Sequence, residues 1–436
     1  MAFFRPTILD SFKGYKQAYF FEDVLAGITV GVVALPLAMA FAIASGLKPE
    51  AGIYAAIVGG LLVALLGGTK VQIAGPAGAF IVIVYGIVDR YGVANLLLAT
   101  SLSGIFLFLM GVFRLGTLVR FIPIAVIVGF TNGIAVLIIL SQIRDLLGLQ
   151  IDKVPSQFFS LAQSLYQEIG TFNPFAIFLS LASLAILVIW RINKKRFGML
   201  GNVPGTIFVL IAATLTTSIF SLPIETIGSR FGGIPSSLPS PQWLGISWES
   251  AQFLIAPAMT LALLGAIESL LCARIADGLT HSRHQPNQEL MGQGIANFCV
   301  PFLGGMPVTG TIARTVTNIE SGARTPISAI VHSLTLLLII ILAAPLAKDI
   351  PLACLAAILI YIAWNMGEWN KFIDFKQFRL PYRITMISVF LLTVMVDLTV
   401  AVEIGLLLAF LTFIYRISSL SRLNVHKRKT THSWKI

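Results

Sequence analysis

"GGMPVTGTIARTVTN", Gly304 to Asn318, interrupts a chain otherwise written for lipid. Three glycines, a proline, four threonines and an arginine stand where an apolar helix would be expected to continue. Gly304, Gly305, Pro307 and Gly310 disfavour a helix. Unpaired backbone in hydrocarbon costs several kcal/mol per group, so such a stretch must be buried in protein or line a polar cavity. The sequence predicts an extended segment from about Met306 and a short helix opening near Thr311.

The surroundings fix the class. Of 436 residues, 57% are hydrophobic and only 11% charged; mean hydropathy is +0.89. Soluble domains are about a quarter charged, and many windows here exceed the ~18 apolar residues that span a bilayer. The chain reads as an all-α polytopic membrane protein. A lipid-facing barrel would instead alternate apolar and polar residues. The net charge of +11 sits in short loops and tails, which points to membrane topology and not to nucleic acid. Cys272, Cys299 and Cys354 lie in apolar segments, so neither disulfides nor a metal centre is expected. P-loop, GxSxG and HExxH patterns are missing, so no cofactor and no enzyme is predicted.

Fourteen apolar segments can be drawn, near 24–46, 51–67, 76–88, 93–113, 117–142, 174–191 and 204–221, then 253–275, 288–303, 311–319, 326–346, 351–366, 380–397 and 398–416. The third and tenth are short. Basic residues at both ends and at Arg191–Arg196, Arg274, Arg283, Lys371, Lys376 and Arg379 then fall on one side, which is cytoplasmic by the positive-inside rule. The expected organisation is a cytosolic amphipathic N-terminus (1–23), a first repeat (24–221), an external loop (222–252), a second repeat (253–416) and a basic cytosolic tail (417–436). The segment 156–170 reads as an external amphipathic helix.

The opening stretch has a counterpart 237 residues earlier. "LVALLGGTKVQIAGPAGAFIV" ends one helix at Gly67-Gly68 and opens a short one at Pro76, as "FCVPFLGGMPVTGTIARTV" does at Gly304-Gly305 and Thr311. Seven spans per half place the halves in opposite orientation, and inverted repeats with matching broken helices mark the binding site of many secondary transporters. The two half-helix N-termini, each carrying about half a positive charge, would face one another near the midplane and attract a small anion.

Two charges sharpen this expectation. Arg314 is a cation in the first turn of a helix and deep in the membrane, both unfavourable unless an anion is near. It is read as linked to substrate, with pairing to an internal carboxylate as the other reading. Glu268 lies beside a small-residue stripe (Ala258, Ala262, Gly265, Ser269, Cys272, Ala276) and should face protein. It is a candidate proton carrier, sodium ligand or resting partner of Arg314. Gly27 and Gly31 read as packing glycines, Pro36 as a kink, and Phe41 as a wall of the site. His332 reads as a satisfied core histidine, and Asp397 and Glu403 as structural.

The run from Ala266 to Pro326, with "VGVVALPLAMAFAIASGL" and "GPAGAF", strongly resembles the SulP anion transporters, relatives of the solute carrier 26 group. The resemblance covers essentially the whole chain. It implies two inverted repeats of seven spans, a core domain (spans one to four and eight to eleven) and a gate domain, as in uracil permeases. It implies an anion site formed by Phe41, Gly78, Ala79, Phe80, Thr311, Ala313 and Arg314, with Glu268 as the coupling-ion residue. It also implies a homodimer and elevator-type transport of sulfate, a dicarboxylate or bicarbonate. Members usually carry a STAS domain after the last span; this sequence ends at Ile436, so a membrane domain without STAS is expected. Sodium-coupled bicarbonate members tend to carry Asp and Thr where Glu268 and Cys272 stand, so the likeness favours proton coupling. A passive anion channel and a sodium-coupled bicarbonate carrier are the alternatives.

Overall fold

A computed structural model describes residues 4–12, 15–117, 124–151, 154–155, 157–193, 196, 205–234, 240–241, 243 and 248–396, with isolated residues up to 408. The last expected span (398–416), with Asp397 and Glu403, and the tail 417–436 lie outside the described segments.

Helices follow the apolar runs. We name them α1 (Gln17–Ala44), α2 (Pro49–Leu66), α3 (Gly78–Val112), α4 (Ile124–Leu147), α5 (Phe158–Gln167), α6 (Pro174–Asn193) and α7 (Gly205–Phe220). The second half gives α8 (Trp248–Thr280), α9 (Pro286–Cys299), α10 (Ile312–Glu320), α11 (Ile327–Ala347), α12 (Leu352–Met366) and α13 (Leu380–Met395). Six of the described helices are long and apolar enough to cross a bilayer, and four more are shorter apolar helices. Within α3, Gly92 adopts φ 80°, a left-handed value that glycine tolerates, and the helix kinks there, between the third and fourth spans. Helix α5 falls inside the amphipathic segment read from the sequence, burying Leu161 and Leu165.

Packing repeats between the halves. Span one (α1) lies on span eleven (α11), and span eight (α8) on α3, which carries span four. Span five (α4) lies on span thirteen (α13), and span twelve (α12) on span six (α6). Each pair is one contact seen in both repeats. Small residues permit the close approaches: a Cβ on Gly104 of α3 would stand 2.4 Å from the Phe298 nitrogen, and one on Gly294 of α9 2.5 Å from the Phe108 nitrogen. Gly27 and Gly31 are packing glycines, as read from the sequence: a Cβ on either would lie 2.7 Å or less from Val331 or Thr335 of α11 or from the α11 backbone at Ser328. The stripe on α8 is likewise buried.

Two buried carboxylates fasten these helices. Asp23 accepts from the backbone N–H of Arg324 (2.7 Å) and Thr325 (3.1 Å) and from the hydroxyls of Thr325 (2.5 Å) and Tyr15 (2.9 Å), tying α1 to the start of α11. Glu289 of α9 accepts from Gly68 N (2.9 Å), Thr69 Oγ1 (2.9 Å), Gln72 Nε2 (3.2 Å), Ser269 Oγ (3.1 Å) and Gln293 Nε2 (3.1 Å). Five donors converge on a carboxylate with no solvent exposure, and removing the acceptor leaves them unpaired at about 1–3 kcal/mol each in the worst case. Glu289→Leu is therefore expected to lower the thermal midpoint of the detergent-purified protein by far more than Glu289→Gln; equal midpoints for leucine and wild type would contradict this role.

Candidate functional site

The two broken stretches meet. Ala74–Gly75 (β1) and Thr309–Gly310 (β2) pair antiparallel, Ala74 opposite Gly310 and Gly75 opposite Thr309. Each ladder is two residues long, so side chains satisfy the rest of the backbone. Asn297 donates to the Val308 carbonyl (2.8 Å) and accepts from the Val308 N–H (2.9 Å), acting as a strand neighbour. Thr311 donates through both its backbone N–H and its hydroxyl to the Ile73 carbonyl, each at 2.9 Å. Thr315 Oγ1 accepts from Ile73 N (3.0 Å), Asn318 donates to the Val71 carbonyl (2.9 Å), and Thr309 donates to the Gly265 carbonyl (3.0 Å). The threonines and asparagine of the opening quotation are thus the partners that broken backbone needs in a dry interior. Gly310 leaves room for Gln72, whose Nε2 would lie 1.8 Å from a Cβ there.

Thr311 is the N-cap of α10, as expected. Its partner begins later than the sequence suggested: Ala77 is still extended (φ −123°) and the helical turn opens at Gly78, not at Pro76. A proline favours a first helical position, but here the chain needs two further extended residues to clear the strand pair. Both N-termini have first-turn N–H groups without intrahelical partners.

Three of the predicted residues converge directly. Phe41 of α1 is buried, and its Cε1 would lie 3.7 Å from a Cβ at Gly78. The same ring lies under Arg314, whose Cζ is 6.0 Å from the ring centroid. Phe41 therefore bridges one half-helix start to the cation of the other, within cation–π range. The remaining expectations divide. Ala79 is buried and Ala313 exposed, each in the opening turn of its half-helix. Phe80 is turned into the core, its Cζ 3.4 Å from a Cβ built on Gly265. Both donors of Thr311 are committed to Ile73.

Arg314 is 2% exposed, and none of its three nitrogens has a hydrogen-bond partner among the described residues. Glu268 is half-buried and forms no ion pair with it among the described residues, so the reading of Glu268 as its resting partner does not hold in this conformation. Nor is His332 the satisfied core residue read from the sequence: it is fully buried, and neither ring nitrogen is partnered among the described residues. Glu289 and Gln72 escaped the sequence reading altogether. The available signal was a carboxylate three residues after Pro286, inside the ninth span. His284 bonds Asp277 at 2.7 Å, and no metal-type cluster occurs among the described residues.

Above Gly78, Met366 of α12 and Ile138 of α4 close in, with Met366 Sδ 3.7 Å and Ile138 Cδ1 3.9 Å from a Cβ built on Gly78. Beyond them lies a cavity of about 350 Å³ between Ile81, Val82 and Tyr85 of α3 and Leu137, Ser141 and Gln142 of α4, with Arg144, Asp145 and Arg230 at its wall. The half-helices thus meet another helix group across an apolar seam and beside a cavity of mixed lining.

The chain is similar to known proteins in sequence and in fold. The profile of the Sulfate permease family matches residues 20–388. The putative sulfate transporter YvdB of Bacillus subtilis is 43% identical over 96% of this chain and 78% of its own length. The bicarbonate transporter BicA of Picosynechococcus is 32% identical over 91% of this chain and 71% of its own. Among solved structures, the transmembrane domain of a cyanobacterial BicA superposes with TM-score 0.80 at 30% identity, covering 89% of this chain and 98% of that one. SLC26A9 gives 0.85 at 18% identity, covering 94% and 68%, a likeness of fold. The two inverted repeats, the broken helices and the profile match agree: this multi-pass membrane protein belongs to the sulfate permease family of anion transporters, and is not an enzyme.

Proposed function

We propose that the chain is a secondary active carrier of sulfate, driven by protons through an elevator-type alternation. The single observation that carries this reading is Arg314: a buried guanidinium at a half-helix N-terminus with no partner on any nitrogen. A charge left so in a low-dielectric interior is costly unless a counter-charge arrives. Planar guanidinium donors and unpaired first-turn N–H groups suit a tetrahedral or carboxylate oxyanion. The anion would lie between Gly78–Phe80 and Thr311–Arg314, with Phe41 as its apolar wall. Thr311 and Phe80 would contribute backbone position and not side-chain ligands.

Sulfate is favoured by the name of the 43%-identical relative, with dicarboxylate and bicarbonate as competitors. Sodium is disfavoured as the coupling ion. Cys272, one turn after Glu268, presents sulfur, and its Sγ donates to Thr315 Oγ1 at 3.2 Å. Hard monovalent cations want oxygen in such places. Glu268, half-buried and without an ion pair among the described residues, is suited to take and release a proton as the core moves. The seam at Ile138 and Met366 would be the surface along which the core, built on α1–α3 and α8–α11, slides past the gate. Both termini would be cytoplasmic and the functional unit a homodimer.

Labelled sulfate should accumulate in proteoliposomes under an inward proton gradient, and a protonophore should abolish the accumulation. Sulfate that equilibrates but never accumulates would indicate a passive pathway. Glu268→Gln is expected to remove accumulation while sulfate–sulfate exchange continues near the wild-type rate; intact gradient-driven uptake would take Glu268 out of the coupling. Arg314→Ala should weaken sulfate binding by about 2 kcal/mol, roughly thirtyfold, as loss of a charged hydrogen-bonding partner does. Wild-type affinity would leave Arg314 structural.

A further inference from the structure

His332 has no role in the proposed mechanism, yet its environment resembles that of Arg314. It lies in α11, is fully buried, and has both ring nitrogens unpartnered. A buried imidazole left so forfeits at least one hydrogen bond, while a leucine or phenylalanine would fill the same space without that cost. Apolar packing alone therefore does not account for a histidine here.

The two side chains flank the same small wall. Arg314 Nη1 is 2.5 Å from where a Cβ of Gly75 would stand, and Ala56 lines the same point at 3.6 Å. A Cβ built on Gly60 would meet Ser333 Oγ at 2.9 Å, the Ala74 carbonyl oxygen at 3.2 Å and His332 Nδ1 at 3.7 Å. Ala74 and Gly75 are the two residues of β1, and Ala56 and Gly60 lie four apart on α2. Ala56 lies within, and Gly60 directly after, a π-turn of α2, Ala55–Gly59, a local widening common at functional positions. Guanidinium and imidazole thus approach one strand at consecutive residues, from α10 and α11. Their chemistry is complementary. Arginine has five donors and no acceptor, whereas a neutral imidazole always offers one acceptor and one donor.

We propose that His332 is the positioning residue for Arg314. Its acceptor nitrogen takes one guanidinium N–H, directly or through one water, when the anion is bound, and its own N–H is left for the Ala74 carbonyl. One edge of the guanidinium is then held against β1, and the other edge is presented to the anion over Phe41. This inference rests on Arg314 being the anion's ligand.

The test is sulfate uptake by proteoliposomes of the full chain in five forms: wild type, H332L, H332N, R314K and R314K/H332L. His332→Leu is expected to raise the sulfate KM about tenfold with a maximal rate within about twofold of wild type. His332→Asn, which restores an acceptor, is expected to recover most of the loss. On the Arg314→Lys background, His332→Leu is expected to change little, since the fork it orients is gone. An unchanged KM in H332L, or a full tenfold effect added to R314K, overturns the proposal. If R314K itself keeps the wild-type KM, the anion-site reading fails instead, and the inference falls with it. Should leucine prevent insertion or folding, His332→Ala takes its place: a raised KM then supports the proposal and an unchanged KM overturns it.

Discussion

The constraint on which everything else depends is that backbone cannot be left unpaired inside a membrane. Two helices stop near the middle of this protein, and each stop frees N–H and carbonyl groups that lipid cannot satisfy. Pairing β1 with β2 settles only four residues. Thr309, Thr311, Thr315, Asn297 and Asn318 settle their neighbours, and Glu289 anchors the turn at Gly68-Thr69. The cross-over is therefore both a joint between repeats and the reason that two helix N-termini can exist at the centre of the fold.

That solution satisfies the strands but not Arg314. Two buried carboxylates are committed elsewhere, Glu289 holding α9 to the turn after α2 and Asp23 holding the start of α11, and Glu268 forms no ion pair with it among the described residues. The protein thus combines an over-determined scaffold with a cation that is uncompensated among the described residues, at a place where helix dipoles already favour negative charge. The transport site proposed above would depend on this imbalance. Were Arg314 paired internally, an anion would have to break that pair on every cycle.

The architecture was largely legible because its determinants are local. Apolar runs mark spans, and Gly67-Gly68 and Gly304-Gly305 mark the breaks and hence the repeat. Arg314 was legible as a charge where none should be. What could not be read depended on partners far away in sequence. Glu289 meets Thr69 across 220 residues, and nothing near either announces the contact. Thr311 looked like a ligand until its donors were seen spent on Ile73, and Phe80 until its ring was seen against Gly265. Pro76 carried a genuine helix-start signal that strand pairing overrode by two residues. His332 was misread because a buried histidine is usually satisfied, and whether it is satisfied is a property of the fold.

Selenate offers the most direct test, since it copies sulfate and scatters anomalously. A structure of the protein with selenate should place the selenium peak between the first turns beginning at Gly78 and Ile312, within hydrogen-bonding distance of the Arg314 guanidinium and over the Phe41 ring. A peak elsewhere, with the Arg314 nitrogens bonded only to protein groups, would contradict the assignment of Arg314 as the anion's ligand.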